Sequence, residues 1–127
     1  MLLVRCEVRP SPLHGLGLFL LEPVKAGAVV WSYENRVDRL YRVASLAVLP
    51  AHVADRIRHY GYQLNADDLV LCGDDARFIN HADEPTTRED ESMVFIRDTV
   101  AARDLAVGDE LTEDYRLTTW EGRKNPL

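Results

Sequence analysis

The alternation of apolar and polar side chains along the chain predicts a protein built mainly from short β-strands. Across residues 2–9 the even positions are all apolar and most odd positions are charged, a period of two that is typical of a strand with one buried face. Further apolar runs of strand length are bounded by glycine, proline or acidic residues, which favour turns. These runs cover residues 18–21, 28–33, 62–64, 69–72, 93–97, 99–102 and 111–115.

The middle of the chain instead shows helical spacing. Apolar residues recur there at intervals of three and four in two sets, which are Val37, Leu40, Tyr41 and Ala44, and then Val53, Ile57 and Tyr60. Pro50 suits the first turn of the second helix, and Gly61 suits its C-terminal end. Because strands do not alternate with helices, a doubly wound fold is disfavoured, and the expected class is mostly β (α+β) with a short helical insert.

Several turns are predicted from glycine and charge. Residues 24–30 and 105–111 share the pattern apolar-x-x-Gly-x-x-apolar, with Gly27 and Gly108 at the centre. A glycine at such a turn is typical of a positive φ angle, and two similar hairpins explain the pattern better than a true repeat does. A further hairpin is predicted around residues 65–68, and the charged run at residues 88–91 is interpreted as a solvated hairpin tip.

The size and charge of the chain limit the number of domains and the kinds of partner to be expected. A length of 127 residues is typical of one domain, so residues 1–127 are expected to fold as a single unit. The 21 acidic residues outnumber the 15 basic ones and give a formal net charge of −6. This balance argues against direct binding to nucleic acid, which favours a basic face, and it suits a basic partner.

The cysteines and histidines do not predict a metal site. Cys6 and Cys72 are far apart, belong to no C-x-x-C pair and interrupt apolar runs, so free, buried thiols are expected, and the four histidines are scattered. Neither a signal peptide nor an apolar run of about 20 residues is present, so an intracellular, soluble protein of the cytoplasm, nucleoid or nucleus is expected, with an unfused secreted effector as the alternative. A hydrolase is disfavoured because no serine lies in a Gly-x-Ser-x-Gly turn.

Three polar segments carry the candidate chemistry. Residues 77–85 read RFINHADEP, residues 108–115 read GDELTEDY, and residues 14–19 read HGLGLF. Alone, the first segment would be a turn in which Asn80 binds neighbouring backbone. In this order and spacing, however, the three segments resemble the motifs of the SET-domain protein lysine methyltransferases, and residues 31–35 (WSYEN) are similar to a substrate-side strand of that family. The resemblance covers roughly residues 4–115 and leaves residues 116–127 as a short tail.

The chain also departs from the motifs of that family. The positions that differ are Asn35, Ala82, Asp83, Thr86 and Glu113. Glu113 stands two residues before the motif tyrosine, where the family often has an aromatic or aliphatic residue that lines the lysine channel. The cysteine-rich zinc segments that flank the domain in many relatives are not found here, so the chain resembles a minimal member. These changes keep a second hypothesis open, a non-catalytic SET-like module that binds a peptide or a protein.

The resemblance implies both a reaction and a fold. The reaction is the transfer of a methyl group from S-adenosylmethionine to the side-chain amine of a lysine in a basic, histone-like protein segment. Lysine has a pKa of about 10.4 in water, so an apolar channel that favours the neutral amine is expected. The fold consists of small β-sheets with a C-terminal pseudoknot-like crossing, a rare arrangement that would bring Asn80 and Tyr115 together. A domain with so little surface for a substrate groove is compatible with a homodimer.

The resemblance also assigns roles to individual residues. Tyr115 is expected to be catalytic, with its hydroxyl orienting the amine and the methyl group. The residues expected to bind the cofactor are His14, Gly15, Leu16, Gly17, Arg77, Phe78, Asn80 and His81. Those expected to line the substrate channel are Tyr33, Tyr60, Tyr62 and Glu113, although core packing explains the tyrosines equally well. Glu110 is expected to be structural, whereas Trp120 would cover the site, contact a second subunit or belong to a frayed end.

Overall fold

The computed structural model of the chain describes residues 1–118 and 120, and these residues form small β-sheets with few helices. The described strands are β1 (Cys6–Pro10), β2 (Leu16–Leu20), β3 (Val29–Trp31), β4 (Arg39–Arg42), β5 (Tyr62–Gln63), β6 (Asp68–Leu71), β7 (Asn80–His81), β8 (Thr87–Glu89), β9 (Thr99–Ala101) and β10 (Glu110–Glu113). The helices are α1 (Ala51–Tyr60) and α2 (Tyr115–Thr118), with 3-10 helices at Val43–Val48 and Asp75–Phe78. The predicted, mostly β class is confirmed.

The largest sheet joins an early, a middle and a late part of the chain. Its strand order is β1-β2-β10-β7, with β10 antiparallel to β2 and parallel to β7. Along β10, Leu111 pairs with Leu18, and Thr112 pairs with Asn80. The last strand therefore lies between an N-terminal strand and a central one, which is the crossing expected from the sequence.

Paired turns fix the edge of the neighbouring sheet, whose order is β3-β9-β8. Val24 and Leu105 form an antiparallel bridge, with backbone N–H···O distances of 3.0 and 2.7 Å. Three residues later in each segment, Gly27 and Gly108 have φ angles of 81° and 88°, which confirms the predicted need for glycine. The pattern shared by residues 24–30 and 105–111 therefore reflects two similar turns whose first residues are hydrogen-bonded to each other.

The main hydrophobic core contains residues from all three sheets. Among the described residues, those with no exposed surface are Leu18, Val30, Val70 and Leu111. Leu18 pairs with Val8 of β1 and with Leu111 of β10, so its side chain lies at the centre of the largest sheet. Cys72 is buried in the same core, Cys6 packs partly buried against it, and both thiols are free.

A smaller cluster of buried residues lies between α1 and the third sheet, whose order is β4-β6-β5. As predicted, α1 follows Pro50 and ends before Gly61. A Cβ atom at Gly61 would lie 2.5 Å from Cδ2 of Leu69, so close packing explains the glycine there. The predicted hairpin of β5 and β6 is also present. No helix in the described part of the chain is long and apolar enough to cross a lipid bilayer.

The helix predicted over residues 37–44 is wrong, because Arg39–Arg42 form β4 and pair with β6. Asp38 fixes the entry into this strand. Its fully buried carboxylate accepts a hydrogen bond from the Gly73 N–H at 3.2 Å and pairs with the amino group of Met1 at 2.6 Å. These partners are distant in sequence, so local spacing did not reveal them, and strand pairing outweighs the weak helical preference.

The strand predicted over residues 93–97 is also wrong. The segment is a loop that closes on itself, because Nε of Arg97 donates to the carbonyl of Met93 at 2.9 Å, while Val94 is 93% exposed. This loop is the actual tip between β8 and β9. The charged run at residues 88–91 begins inside β8 instead, so its interpretation as a hairpin tip needs correction.

Replacing Leu18 with alanine is expected to destabilise the fold far more than the same change at Leu21. Leu18 has no exposed surface, whereas Leu21 is 43% exposed. The free energy of unfolding should fall by about 2–5 kcal/mol for Leu18→Ala, because the deletion leaves a cavity in the core. The fall for Leu21→Ala should be about 1 kcal/mol or less. Urea denaturation followed by circular dichroism measures both values, and equal losses would contradict the central position of β2.

Candidate active site

A cavity of about 270 Å³ opens beside the largest sheet, close to the lower end of the range of about 300–1,000 Å³ that is usual for small-molecule sites. We call it the main cavity. It is lined by the loop before β2, the end of α1, the 3-10 helix before β7, and the segment that runs from β10 into α2. Residues far apart in the sequence therefore share one concave surface.

The side-chain amide of Asn80 holds the loop before β2 in place. The two hydrogens on its Nδ2 atom are shared among three acceptors, which are the carbonyls of His14 at 3.0 Å and Leu16 at 2.9 Å and Oε1 of Glu110 at 3.0 Å. The hydroxyl of Ser11 donates to the same Glu110 carboxylate at 2.8 Å. Glu110 is therefore structural, as expected, and the amide nitrogen of Asn80 serves the protein itself.

Gly17 is required by this cluster. A Cβ atom at position 17 would lie 2.1 Å from Oε1 of Glu110, so any larger residue would displace the carboxylate. Gly15 has a φ angle of 46° and open space around it, and it lines the main cavity. The two glycines of the motif thus differ in function, since Gly17 makes room for Glu110 and Gly15 leaves its backbone accessible to a ligand.

Tyr115 begins α2 directly after β10, so it does not end a strand as predicted. Its hydroxyl donates to the carbonyl of Ile79, and its backbone N–H donates to Nδ1 of His81 at 3.1 Å. Burial and, second, the charge of Glu113 raise the pKa of the Tyr115 hydroxyl well above its ordinary value. The hydroxyl therefore stays protonated at neutral pH and keeps its bond to Ile79.

His81 holds the backbone of Tyr115 through its ring. Because Nδ1 accepts the Tyr115 N–H, Nε2 carries the proton in the neutral ring and donates to Asp83 at 3.2 Å. Arg116 binds Asp114 through two hydrogen bonds of 2.8 Å, which hold the pKa of the Asp114 carboxyl below its usual range. His81 is not among the residues that line the main cavity, and its expected backbone contact with a cofactor stays a prediction.

One part of the main cavity is aromatic and basic. The rings of Tyr60 and Phe78 meet edge to face with centroids 6.4 Å apart, and the Arg77 guanidinium lies 5.6 Å and 5.2 Å from their centroids. His59 packs on Tyr60 at 4.8 Å. Such a surface suits a flat heteroaromatic ring, which stacks on aromatic faces and on guanidinium planes.

Another part of the main cavity is acidic. Glu89 and Glu113 both line it, and Arg97 pairs with Glu89 at 3.4 Å. Burial first, and then electrostatic interactions that include those with the carboxylates of Glu113 and Glu89, raise the pKa of the Tyr62 hydroxyl well above its ordinary value. The carboxylates of Glu113 and Glu89 therefore interact electrostatically with the Tyr62 hydroxyl.

Most of the residues expected at the site do line the main cavity. They are His14, Gly15, Leu16, Tyr60, Tyr62, Arg77, Phe78, Asn80, Glu113 and Tyr115. Gly17, His81, Tyr33 and Trp120 are not in the lining. Tyr33 packs against the main core instead, which was the alternative open from the sequence, and Trp120 is partly buried. Position 119 and residues 121–127 of the expected tail lie outside the described residues.

Sequence reasoning missed several lining residues. These are Trp31, His59, Gly61, Cys72, Ala76, Ile79, Glu89, Arg97, Thr99 and Thr118. Trp31 lies two residues before Tyr33, the residue chosen from the motif. Because residues two apart in a strand lie on the same face, the alternation could have identified Trp31 as a second candidate. Burial, followed by the charges of Asp38 and Glu113, raises the pKa of the Cys72 thiol, so Cys72 is a neutral wall of the cavity and not a nucleophile.

Two buried polar atoms in the lining lack a hydrogen-bond partner among the described residues. They are Nε1 of Trp31 and Oγ1 of Thr118. Buried donors without acceptors are costly, so they indicate a place where a ligand or water completes the bonding.

A second cavity of about 170 Å³ adjoins the main cavity, and Glu89, Arg97 and Thr118 line both cavities. No three His, Cys, Asp or Glu side chains of the described residues cluster in a way that could hold a metal ion.

The chain is similar in sequence to known proteins. The family model of the SET domain matches residues 15–116. The histone-lysine N-methyltransferase SETD1 of Drosophila melanogaster is 29% identical over 116 residues, which is 84% of this chain. An H3 lysine-4 specific histone-lysine N-methyltransferase of Yarrowia lipolytica is 28% identical over 116 residues, again 84% of this chain. The chain spans only 7% and 10% of the length of these two relatives.

Replacing Asn80 with aspartate is expected to loosen the site. A carboxylate cannot donate to the carbonyls of His14 and Leu16, and it would face the Glu110 carboxylate, so the free energy of unfolding should fall by about 3 kcal/mol at pH 7. The like charge raises the pKa of the new carboxyl in the folded protein, so the loss should grow as the pH rises above about 4. Asn35→Asp, at an exposed position, is the control. Chemical denaturation at pH 5 and pH 8 tests this, and a loss independent of pH would contradict it.

Proposed function

We propose that this chain, which belongs to the SET-domain family, transfers a methyl group from S-adenosylmethionine to the side-chain amine of a lysine in a basic, histone-like protein segment. The names of the matched relatives support a protein lysine as acceptor. The observation that carries the proposal is the position of Tyr115, whose neutral hydroxyl is fixed in the same cavity as the loop held by Asn80.

The lining of the main cavity fits S-adenosylmethionine. When bound, this cofactor supplies a methyl group on a positively charged sulfur. The backbone around Gly15 would hold its polar end, and the aromatic surface of Tyr60 and Phe78 with Arg77 would hold its adenine ring. The unpartnered Nε1 of Trp31 and Oγ1 of Thr118 would gain hydrogen bonds from bound ligands. These residues bind and orient, and the walls exclude water.

Tyr115 orients the reacting amine through its oxygen. Because its proton is committed to the Ile79 carbonyl, the hydroxyl can act towards a ligand only as a hydrogen-bond acceptor. An acceptor there would bind an N–H of the substrate amine and leave the nitrogen lone pair free to attack. Lysine must also be neutral to react, and its pKa of about 10.4 makes the neutral amine cost about 4.6 kcal/mol at pH 7 in water. The partly buried aromatic walls lower that cost by desolvation.

The same residues are also compatible with the second hypothesis, a non-catalytic module that binds a peptide or a protein, and two measurements separate the hypotheses. Calorimetric titration with S-adenosylmethionine and S-adenosylhomocysteine measures cofactor binding, and transfer of a tritiated methyl group to purified histones and other basic proteins measures catalysis. The proposal expects both signals, with the labelled residue identified as lysine by mass spectrometry. No cofactor binding would overturn it, and binding without transfer to any lysine would favour the non-catalytic module.

Replacing Tyr115 with phenylalanine is expected to lower kcat by about 100-fold or more, since the oriented oxygen is lost. The cofactor dissociation constant should change little, because the aromatic ring stays in place. Tyr41→Phe is the matched control, since Tyr41 lies on β4 outside both cavities and should keep its kcat. Steady-state kinetics and calorimetry measure both variants. An unchanged kcat in Tyr115→Phe would refute the catalytic role of Tyr115.

A further inference from the structure

Glu113 stands out among the charged groups of the main cavity. Glu89 is neutralised by Arg97 at 3.4 Å, whereas no hydrogen bond or ion pair joins the Glu113 carboxylate to any other described residue. Its backbone is nevertheless firmly held. Glu113 pairs with His81 in the parallel ladder, and its carbonyl accepts the Ala82 N–H at 3.0 Å. The result is a negative charge that lines the cavity on a rigid strand.

The charge of Glu113 reaches several walls of the same cavity. It contributes to raising the pKa of Tyr115 on α2, of Tyr62 on β5 and of Cys72 after β6. All three side chains stay uncharged at neutral pH, so none of them neutralises the carboxylate. A cation placed among these walls would be close to Glu113, in surroundings where burial strengthens the attraction.

Resting on the function proposed above, we propose that Glu113 is a specificity-determining residue that captures the substrate lysine as its ammonium ion beside Tyr115. The position of the unpaired carboxylate in the lining and the acceptor oxygen of Tyr115 carry the proposal. Three N–H donors of an ammonium group match these acceptors, whereas a neutral side chain of the same length offers none.

Capture as an ammonium ion has a consequence for the reaction. The bound ammonium must first lose one proton to water. The neutral nitrogen then forms its bond to the methyl carbon as the bond from that carbon to sulfur breaks, which gives a methylammonium and a neutral thioether. Since the Glu113 carboxylate favours the charged form of the amine, it tightens substrate binding but moves deprotonation to a higher pH. Binding and turnover should therefore respond to Glu113 in opposite directions.

Other titratable groups share the cavity and bear on the pH dependence. They are His14 in the loop before β2, His59 and Tyr60 at the end of α1, Arg77 before β7, Glu89 with Arg97 beside β8 and β9, and Tyr62, Cys72 and Tyr115. His81 lies next to Glu113 on β7 but outside the lining. All of these groups are unchanged in a Glu113 variant, so a difference between two pH profiles isolates the effect of Glu113.

The binding experiment uses the full chain with S-adenosylhomocysteine present and two probes, Nα-acetyl-lysine methylamide and its norleucine counterpart. Chemical shifts in NMR titrations give the dissociation constants. The unmodified protein should prefer the lysine probe by about tenfold or more, as a close carboxylate–ammonium pair allows. Glu113→Gln should lose this preference, and Glu113→Asp should keep part of it. Glu84→Gln removes an exposed charge outside both cavities and should leave the preference unchanged.

The kinetic experiment compares pH profiles of kcat for methyl transfer. The limb that rises with pH should lie about one pH unit lower in Glu113→Gln than in the unmodified protein. Equal affinity of the unmodified protein for both probes, or no binding of either, would overturn the inference, as would an unmoved limb. A protein that prefers the lysine probe but transfers no methyl group would instead contradict the proposed function and leave the capture of the cation standing.

Discussion

The site depends on one cluster of hydrogen bonds between the Asn80 amide and the Glu110 carboxylate. Asn80 belongs to β7 and Glu110 to β10, and the two carbonyls that accept from Asn80 belong to His14, in the loop before β2, and to Leu16, the first residue of β2. These segments are separated by more than 60 residues and by 30 residues of sequence, so nothing local keeps them together. Because buried donors and acceptors must be paired, the three segments have one arrangement that satisfies them all.

This arrangement positions the rest of the site. Once β10 lies against β7, Glu113 and Tyr115 follow on the same rigid segment, one at the end of the strand and one at the start of α2. Tyr115 then gains fixed partners at both of its polar groups, Ile79 for the hydroxyl and His81 for the backbone N–H. The acceptor that the proposed reaction needs is thus placed by the backbone crossing and not by a flexible side chain.

Features that depend on nearby residues were accessible from the sequence. The turns at Gly27 and Gly108 and the end of α1 at Gly61 follow from local chemistry. The strand predicted over residues 2–9 is also present, although the structure places it at Cys6–Pro10. The errors at residues 37–44 and 93–97 arose where a distant partner or a loop contact decides the backbone. The motifs brought Asn80 and Tyr115 together, and both line the main cavity, because a family resemblance already contains tertiary information.

Other parts of the site were beyond any reading of the sequence. The reason for Gly17 is a carboxylate oxygen of Glu110 that would lie 2.1 Å from a Cβ atom at position 17. The pairing of Glu89 with Arg97, which leaves Glu113 as the uncompensated charge, likewise exists only in three dimensions.

The two sides of the main cavity differ in how closely they follow the motifs of the SET-domain family. The side-chain amide of Asn80 and the space at Gly17 are used to assemble the site, so the proposed cofactor would meet mainly backbone and ring faces there. That half of the cavity keeps the motif residues of the family. The acidic half holds Glu113, where the chain departs from the motif, and it opens towards the second cavity through Glu89 and Arg97. The net charge of −6 therefore matters less as a total than through the Glu113 carboxylate, which no described side chain neutralises, because salt screens a partly buried charge much less than an exposed one.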